Sequence, residues 1–281
     1  MSTATSETTP DLDNPGRGVR AVTDEEVAHY QEHGWVKLEG FMQPWLVEEL
    51  LAHAQAKMGS DPLTLSSAAP KDLQPNEFKW YERWDGPTHH DEWIKKVSHS
   101  REVATAAARL MGLDAVRFYF DHFFVKVPAE AKGGTETPWH QDFPHHPLDR
   151  MGALTMWTPL VECPPEKGTM RFLNGSHQVG SLGRYLNRHD GINLLDENPW
   201  VAEKFEASPP LHLKPGDATV HHLGITHYAP PNTTDSPRWV YTTQWLPPAA
   251  RFTGAPNHRT DGLDLEIDKP LDHPRFPVIT V

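Results

Sequence analysis

The apolar residues of this chain change their spacing near Gly112, and this change is the strongest constraint on its fold. Before Gly112 they recur every three or four positions, as on one face of a helix, and after it they follow alternating, strand-like patterns. Helices followed by many short strands favour a mainly β sandwich or barrel with an N-terminal helical layer. The 27 prolines and 19 glycines agree with a loop-rich β fold rather than a helical bundle.

Three helices are predicted in the first part of the chain. They cover Thr23–Gly34, Pro44–Ala54 and Arg101–Met111. The first begins with a capping box, in which the side chains of Thr23 and Glu26 accept hydrogen bonds from free backbone N–H groups of the first turn. Residues 59–91 interrupt the helical pattern with Gly, Ser and Pro, so a loop is expected there.

Six strands are predicted from runs of alternating or β-branched and aromatic residues. They cover Trp35–Leu38, Val116–Val127, Gly152–Val161, Thr169–Leu173, Ala218–Leu223 and Trp239–Leu246. The second strand carries Phe118, Phe120, His122, Phe124 and Lys126 at alternate positions. Since side chains alternate across a strand, these five are expected to share one face.

Composition limits the classes of function. The formal net charge is −12, which argues against nucleic-acid binding because that function needs a basic face. Cys163 is the sole cysteine, which excludes an intramolecular disulfide and favours a reducing, cytoplasmic location. No apolar run reaches the roughly 20 residues that a membrane span needs, so no membrane association is expected.

The chain is expected to form one domain behind a short tail. Residues 1–18 are rich in Ser, Thr, Asp and Pro and lack the apolar stretch of a signal peptide, which predicts a disordered tail. Residues 19–281 are long enough to bury a substantial core as a single domain.

A candidate metal site lies at residues 139–142, Trp-His-Gln-Asp. On an extended strand, residues two apart point to the same side, so His140 and Asp142 would face one ion and Gln141 would face away. His227 supplies a second imidazole far downstream. Two imidazoles and one carboxylate, with coordination positions left open, form the facial triad of non-haem Fe(II) oxygenases.

Other histidines compete for these roles, because the chain has 18 of them. His89–Asp91 also fits the pattern His-x-Asp, but its Pro- and Gly-rich surroundings favour a loop. His221 and His222 precede the third ligand on the same segment and remain alternatives for it. His145 and His146 are interpreted as polar loop residues near the mouth of the site.

Arg238 is a candidate clamp for a cosubstrate. It follows His227 by eleven residues (238 − 227), enough for a hairpin that brings the two side chains together. A guanidinium binds a carboxylate through two parallel hydrogen bonds, which suits this role. A surface salt bridge is the alternative interpretation.

In order and spacing, residues 23–247 resemble the phytanoyl-CoA dioxygenase family of Fe(II)/2-oxoglutarate oxygenases. Besides the triad and Arg238, the resemblance rests on segments that are ordinary alone and specific as a set. They are Thr23–Val36, Trp157–Leu160, Gly168–Phe172, Gly175–His177, Pro215–Asp217 and Pro231–Asn232.

This resemblance implies a double-stranded β-helix (jelly roll, cupin-like) with Fe(II) held by His140, Asp142 and His227. It also implies that Arg238 binds the distal carboxylate of 2-oxoglutarate. The implied reaction is the O2-dependent hydroxylation of a substrate with release of succinate and CO2. Related halogenases lack the carboxylate ligand, so Asp142 favours hydroxylation, or a related outcome such as desaturation, over halogenation.

One position departs from the family pattern. Members often carry a small hydroxyl residue two positions after the last ligand, where this chain has Ala229. The contact to the cosubstrate is then expected from Thr226 or Thr242, or to be missing. Lys126 could contact the cosubstrate or a substrate acid, although a charge at a strand end is the favoured interpretation. Trp157 could line the cosubstrate pocket or belong to the core.

A small, largely apolar metabolite, such as an intermediate of secondary metabolism, is the expected substrate. The candidate pocket residues are Trp80, Tyr81, Trp84, Phe118, Phe120 and Phe143, and residues 181–200 are a candidate lid. An acyl-CoA is an alternative, although no Lys/Arg cluster suits its phosphates. A cupin-like metal enzyme that does not use 2-oxoglutarate and a non-catalytic binding protein are the remaining alternatives. The sequence leaves the oligomeric state open.

Overall fold

Helices precede strands along the chain in the computed structural model, which describes residues 10–60, 82–132, 136–183 and 193–281. The helices are α1 (Asp24–His33), α2 (Pro44–Met58), α3 (Glu92–Ser98), α4 (Arg101–Met111), α5 (Ala129–Lys132), α6 (Leu194–Glu197) and α7 (Pro199–Lys204). The strands are β1 (Trp35–Leu38), β2 (Glu82–Asp85), β3 (Ala115–Lys126), β4 (Thr137–His140), β5 (Leu154–Pro159), β6 (Arg171–Phe172), β7 (Ala218–His222), β8 (His227–Ala229), β9 (Arg238–Leu246) and β10 (Val278–Thr280).

The described strands form two antiparallel sheets of unequal size. The large sheet has the order β1-β7-β5-β9-β3-β10, and β2 pairs with the free part of β3. The small sheet has the order β4-β8-β6. From β3 to β9, strands that are neighbours in the sequence alternate between the two sheets, as the expected jelly roll requires.

The helical layer covers the outer face of the large sheet. Apolar residues of α2 and α4, such as Leu50 and Leu110, are buried in one cluster with Val220, Phe123 and Tyr241 of the sheet. A second cluster lies between the sheets and contains Trp35, Trp157, Phe172, Leu213, Ile225 and Val240. A third lies at one end of the sheets, where residues after 246 pack against Tyr119 and Phe120.

The ends of the first helix confirm the capping prediction. Thr23 Oγ1 accepts a hydrogen bond from the Glu26 backbone N–H, and the Glu26 carboxylate accepts one from the Thr23 N–H. Gly34 ends the helix with a φ of 77°, a left-handed conformation that glycine adopts at little cost. The predicted bounds of β1 and α4 are likewise confirmed.

Packing begins earlier in the chain than expected. Pro15–Gly18 forms a 3-10 turn in which Pro15, Gly16 and Gly18 are buried, although these residues fall within the predicted tail. Gly18 lies against Trp45 and Leu46 of α2, where a Cβ atom would clash. A short apolar contact surface therefore orders residues whose composition is that of a tail.

The stretch predicted as a loop contains regular structure in its described part. Asp91 is the N-cap of α3, because its carboxylate accepts hydrogen bonds from the backbone N–H groups of Trp93 and Ile94. The second His-x-Asp pattern, His89–Asp91, is therefore a helix start. Within the stretch, Glu82–Asp85 forms β2 and Pro87–His89 forms a 3-10 turn, while α3 begins just after it, at Glu92.

The five residues of β3 that were expected to share one face do not all do so, because the strand contains a β-bulge. Phe118 pairs with Trp245 and Phe120 pairs with the adjacent Gln244, so Tyr119 is an extra residue. The extra residue reverses the alternation, and Phe118 is buried with the helices instead. Phe120, His122, Phe124 and Lys126 remain on the inner face, toward the small sheet.

Asp121 is a fully buried carboxyl on the helix side of β3. It accepts hydrogen bonds from the hydroxyls of Thr88 and Tyr241, and Thr88 Oγ1 also lies 2.8 Å from Ser98 Oγ. Burial raises the pKa of Asp121 to about 7, although the hydrogen bonds oppose this rise. This network joins β3 and β9 to the last residue of α3 and to the 3-10 turn that precedes the helix.

The raised pKa predicts that Asp121 makes the protein less stable as pH rises. The folded protein keeps the proton up to about pH 7, whereas the unfolded chain releases it near 3.8, so the free energy of unfolding should decrease between these values. Asp121→Asn should reduce this decrease by a few kcal/mol, about 1.4 for each unit of pKa difference. Urea unfolding at pH 5 and pH 8 measures it, with the exposed Asp114→Asn as the matched control. Equal pH dependence in both variants would contradict the account.

Candidate metal centre

Two of the predicted ligands face each other across a strand pair. His140 ends β4, His227 begins β8, and the two residues are direct partners in the antiparallel register. Partners in such a pair project from the same face of the sheet, so both rings point between the sheets. Their ring centroids are 4.1 Å apart.

The third predicted ligand reaches the same point by a turn. Asp142 has φ −70° and ψ −36° and begins a 3-10 turn at Phe143–His145, so the extended strand expected through Asp142 stops at His140. Asp142 Oδ1 lies 3.5 Å from His140 Nε2 and 3.8 Å from His227 Nε2. The three residues meet as predicted, although the turn, and not strand alternation, brings in the carboxylate.

Gln141 fixes this turn from the opposite side. Its Nε2 donates hydrogen bonds to the carbonyls of Gly180 (2.9 Å) and Gly224 (2.7 Å), and its Oε1 accepts one from the Leu182 N–H (2.8 Å). The side chain is buried and faces away from the site, as expected. These bonds tie the turn to two other segments and limit the movement of Asp142.

The hydrogen bonds of the imidazoles suit metal binding. His140 Nδ1 lies 2.7 Å from the Pro138 carbonyl and His227 Nδ1 lies 3.1 Å from the Ile225 carbonyl, so each Nδ1 carries the proton. Each Nε2 then presents a lone pair toward Asp142. The ligand atoms all lie within 4.8 Å of one another, in the one such His/Asp group found among the described residues. This donor set fits Fe(II) or a similar divalent ion.

The second oxygen of the carboxylate is held by the large sheet. Asp142 Oδ2 accepts a hydrogen bond from Thr155 Oγ1 (3.2 Å) and lies 3.2 Å from His221 Nε2. Gln244 Nε2 donates in turn to Thr155 Oγ1 (2.9 Å). The hydrogen bonds from Thr155 and His221 orient the ligand and leave Oδ1 directed at the imidazoles.

The alternative third ligands lie outside the group. His221 is behind Asp142 and orients it. His222 points elsewhere, with its ring nitrogens 3.1 Å and 2.9 Å from the backbone nitrogens of Gly152 and Gly224. The sequence did not point to Thr155 and Gln244, because polar residues on the inner face of a strand belong to no recognisable motif.

Electrostatics favour the protonation states that a metal requires. Burial lowers the pKa of His227 well below its usual value, and the neighbouring His140 adds to this effect. Burial alone would raise the pKa of Asp142, but its interactions with His227, His140 and His221 outweigh it and hold this pKa well below its usual range. Near pH 7 the site therefore combines a carboxylate with a neutral imidazole at His227.

A pair of buried cations lies further along the inner face. Arg238 and Lys126 are direct partners on β9 and β3, and both side chains are buried. The Arg238 guanidinium donates to the Gly168 carbonyl and lies over the rings of Phe124 (5.3 Å) and Trp157 (5.2 Å). Stacking of this kind holds the fork of the guanidinium in one orientation.

Lys126 reaches the end of β8, two residues after the last ligand. Its Nζ donates to the carbonyls of Pro230 (2.9 Å) and Ala229 (3.3 Å). Burial lowers the pKa of Lys126 well below its usual value, and the charge of Arg238 lowers it further. The structure thus places an amine beside Ala229, where the family pattern has a hydroxyl. Lys126 is the last residue of β3, as the strand-end interpretation has it, but its side chain is fully buried.

The two candidate hydroxyls have different surroundings. Thr242 lies on the inner face of β9, opposite Trp157, and its Oγ1 donates to the His122 carbonyl (3.2 Å). Thr226 is buried, its N–H donates to Ser176 Oγ (2.9 Å), and its hydroxyl has no hydrogen-bond partner among the described residues. Trp157 both belongs to the core between the sheets and contacts Arg238.

Several expected pocket residues lie elsewhere. Trp84 and Phe118 are buried on the helix side of the large sheet, while Phe120 and the half-buried Phe143 lie in or against the cluster at the end of the sheets. His145 is near the mouth, with its ring 6.5 Å from that of His140, but His146 is buried against Tyr119. Trp80, Tyr81 and residues 184–192 of the candidate lid lie outside the described residues.

Sequence comparison agrees with the resemblance carried by the motifs. The phytanoyl-CoA dioxygenase (PhyH) family matches residues 30–240. Phytanoyl-CoA dioxygenase domain-containing protein 1 of Danio rerio is 30% identical over 161 residues, which are 54% of this chain and 52% of that protein. The match therefore spans about half the length of this curated relative.

Solved structures confirm the jelly-roll fold. The non-haem α-ketoglutarate-dependent carbocyclase SnoK of nogalamycin biosynthesis has a TM-score of 0.71 and 26% identity, over 92% of this chain and 97% of that chain. The epimerase SnoN, in complex with Fe3+, α-ketoglutarate and nogalamycin RO, has a TM-score of 0.71 and 23% identity, over 91% of this chain and 97% of that chain. Among the described residues, no helix is long and apolar enough to cross a bilayer.

Removal of one imidazole should abolish metal binding. His227→Ala leaves one imidazole and one carboxylate, so the protein should lose its bound divalent ion while His89→Ala retains it. Anaerobic dialysis against Fe(II) followed by metal analysis measures the stoichiometry. Undiminished metal content in the His227 variant would rule out this centre.

Proposed function

We propose that this chain, which belongs to the phytanoyl-CoA dioxygenase family, is an Fe(II)- and 2-oxoglutarate-dependent dioxygenase that hydroxylates a small, largely apolar metabolite. The observation that carries the proposal is the convergence of two imidazole Nε2 atoms on Asp142 Oδ1, together with a buried Arg–Lys pair on the inner face of the opposite sheet. The proposed enzyme is one domain over residues 19–281, located in the cytoplasm, with O2 and a small molecule as its partners.

His140, Asp142 and His227 would hold the iron. Both imidazoles already carry their protons on Nδ1, so binding needs no change of tautomer. Asp142 would bind through Oδ1, since Oδ2 is engaged by Thr155 and His221. Three protein ligands leave coordination positions open for small molecules.

Arg238 and Lys126 would bind the distal carboxylate of 2-oxoglutarate. Two buried cations side by side repel each other, as the lowered pKa of Lys126 records, and an anion between them would remove this cost. Lys126 would supply the contact that Ala229 lacks, and Thr226 or Thr242 the hydroxyl. When iron and 2-oxoglutarate are bound, they supply the oxidising chemistry, in which O2 is consumed, succinate and CO2 are released and the substrate gains a hydroxyl group.

The same observations weigh against the alternatives. A cupin-like enzyme without 2-oxoglutarate would have no use for two buried cations on the inner face of the large sheet, opposite the sheet that carries the two imidazoles. A non-catalytic binding protein would have no need for two imidazole lone pairs directed at one carboxylate oxygen. An acyl-CoA hydroxylase of the same family uses the same centre and differs in the substrate alone.

Loss of the guanidinium should weaken cosubstrate binding. Arg238→Gln removes a charge-assisted fork, and the dissociation constant of 2-oxoglutarate should rise roughly 10- to 100-fold, since such a hydrogen bond contributes about 1.5–3 kcal/mol. Calorimetric titration of the metal-loaded protein measures this, with the exposed Arg251→Gln as control. Equal affinity in the two variants would favour an enzyme that does not use 2-oxoglutarate.

Succinate formation should depend on iron, on Asp142 and on a substrate. A panel of small metabolites and acyl-CoA esters is screened for stimulation of succinate release by the wild-type protein and by Asp142→Ala. We expect stimulation by a small metabolite in the wild type alone, because the variant lacks one of the three ligands. Iron-independent release, or equal release by the variant, would refute the proposed reaction.

A further inference from the structure

A second pair of imidazoles lies at the end of α1, outside the residues that the proposed function uses. Residues 29–33 have the sequence His-Tyr-Gln-Glu-His and form the last turn of this helix. Histidines four positions apart project from the same face of a helix. The pattern H-x-x-E-H on a helix is one with which zinc enzymes hold their ion.

The two rings at α1 are placed much like the two imidazoles of the metal centre. The centroids of the His29 and His33 rings are 4.4 Å apart, and the ring planes are tilted by 53°. The corresponding values in the metal centre are 4.1 Å and 47°. Within the described part of the chain, neither imidazole at α1 makes a hydrogen bond, and both are half-buried. Each ring therefore has a nitrogen lone pair that a shared ion can use.

Glu32 supplies a carboxylate beside this pair. Its Oε2 lies 3.9 Å from His33 Nε2. The carboxylate–imidazole distances in the metal centre are 3.5 Å and 3.8 Å. As placed, the donor atoms of the three residues at α1 are more widely spread than those of the metal centre. The Glu32 side chain is 76% exposed, however, so a change of rotamer that brings its carboxylate onto an ion costs little.

The surroundings of His29 hold its imidazole neutral and in one orientation. The ring packs edge-on against Trp35 at 5.3 Å, and the Trp35 indole is itself held by a hydrogen bond from Nε1 to Asn174 Oδ1 (2.7 Å). Burial lowers the pKa of His29, and the neighbouring His33 lowers it further, against an opposing effect of Glu32. A metal can therefore bind near pH 7 without first displacing a proton from this ring.

We propose that His29 and His33 bind Zn(II) or a similar divalent ion, with Glu32 as the third protein ligand. Imidazole and carboxylate are ligands that Zn(II) accepts. The partial negative charge at the C-terminal end of α1 also favours a cation here. The ion joins residues one turn apart, at a helix end where the His33 carbonyl accepts a hydrogen bond from the Gly175 N–H (2.8 Å). This site is separate from the metal centre and does not depend on the proposed function.

The test counts the zinc ions bound per chain. Zinc is titrated, in competition with a chromophoric chelator, into the wild-type protein, His33→Gln, His227→Ala and the double variant. The matched control is His212→Gln, because His212 is an exposed imidazole paired with the Glu162 carboxylate. This control shows whether a single imidazole–carboxylate pair is enough to bind zinc. Zinc is used because Fe(II) binds nitrogen and oxygen donors more weakly.

We expect two zinc ions in the wild type and in the control, one in His33→Gln, one in His227→Ala and none in the double variant. The dissociation constant of the ion at α1 should rise roughly tenfold or more in His33→Gln. Zinc should also raise the Tm of His227→Ala, which keeps only the α1 site, because binding to the folded state stabilises it. The same unfolding experiment shows that each variant is folded, and His29→Gln decides if His33→Gln is not.

Two results would overturn the α1 site. One is equal zinc binding by the wild type and His33→Gln. The other is an equal loss of zinc in His33→Gln and His212→Gln, which would show that any exposed histidine of this chain binds the ion. A single zinc ion that is retained in His227→Ala and lost in His33→Gln would support the α1 site and contradict the metal centre of the proposed function instead.

Discussion

The antiparallel pairing of β4 with β8 is the interaction on which the rest of the site depends. It makes His140 and His227 direct partners and so fixes the distance between two imidazoles that are 87 residues apart (227 − 140) in the sequence. The backbone carbonyls of Pro138 and Ile225 then set the tautomer of each ring. Only short strands are needed for this, because two residues define the contact.

The large sheet supplies the remaining side chains of the site. Its inner face supplies Thr155 and His221, which hold one oxygen of Asp142, and Arg238 and Lys126, which form the buried cationic pair. Each of these residues projects inward from a strand whose alternate side chains pack under the helices. The helical layer therefore contributes by keeping the sheet, and with it the register of these inward residues, fixed.

Much of this architecture follows from local sequence patterns. The capping box at Thr23, the glycine stop at Gly34 and the alternation of Ala218–His222 are strong signals, and the structure agrees with them. The ligand trio could be anticipated because His-x-Asp is a compact motif and His227 has a matched arginine after it.

The remaining features of the fold and the site depend on contacts between residues far apart in the sequence, which local patterns do not reveal. The bulge at Tyr119 reverses the face of Phe118, and no turn residue marks it. Asp142 begins a turn that Gln141 holds by hydrogen bonds to the carbonyls of Gly180 and Gly224, residues 39 and 83 positions away. The turn at Asn257 is likewise held by the carbonyl of His145, a residue more than 100 positions earlier.

The central claim is that the trio and the cation pair bind one metal ion and one cosubstrate together. Anaerobic calorimetric titration of 2-oxoglutarate into the wild-type protein, with and without Fe(II), tests it most directly. The account predicts that Fe(II) increases the affinity for 2-oxoglutarate tenfold or more, and that 2-oxoglutarate increases the affinity for Fe(II) by the same factor, since coupling between sites is reciprocal. Affinity for 2-oxoglutarate that is independent of the metal would contradict it.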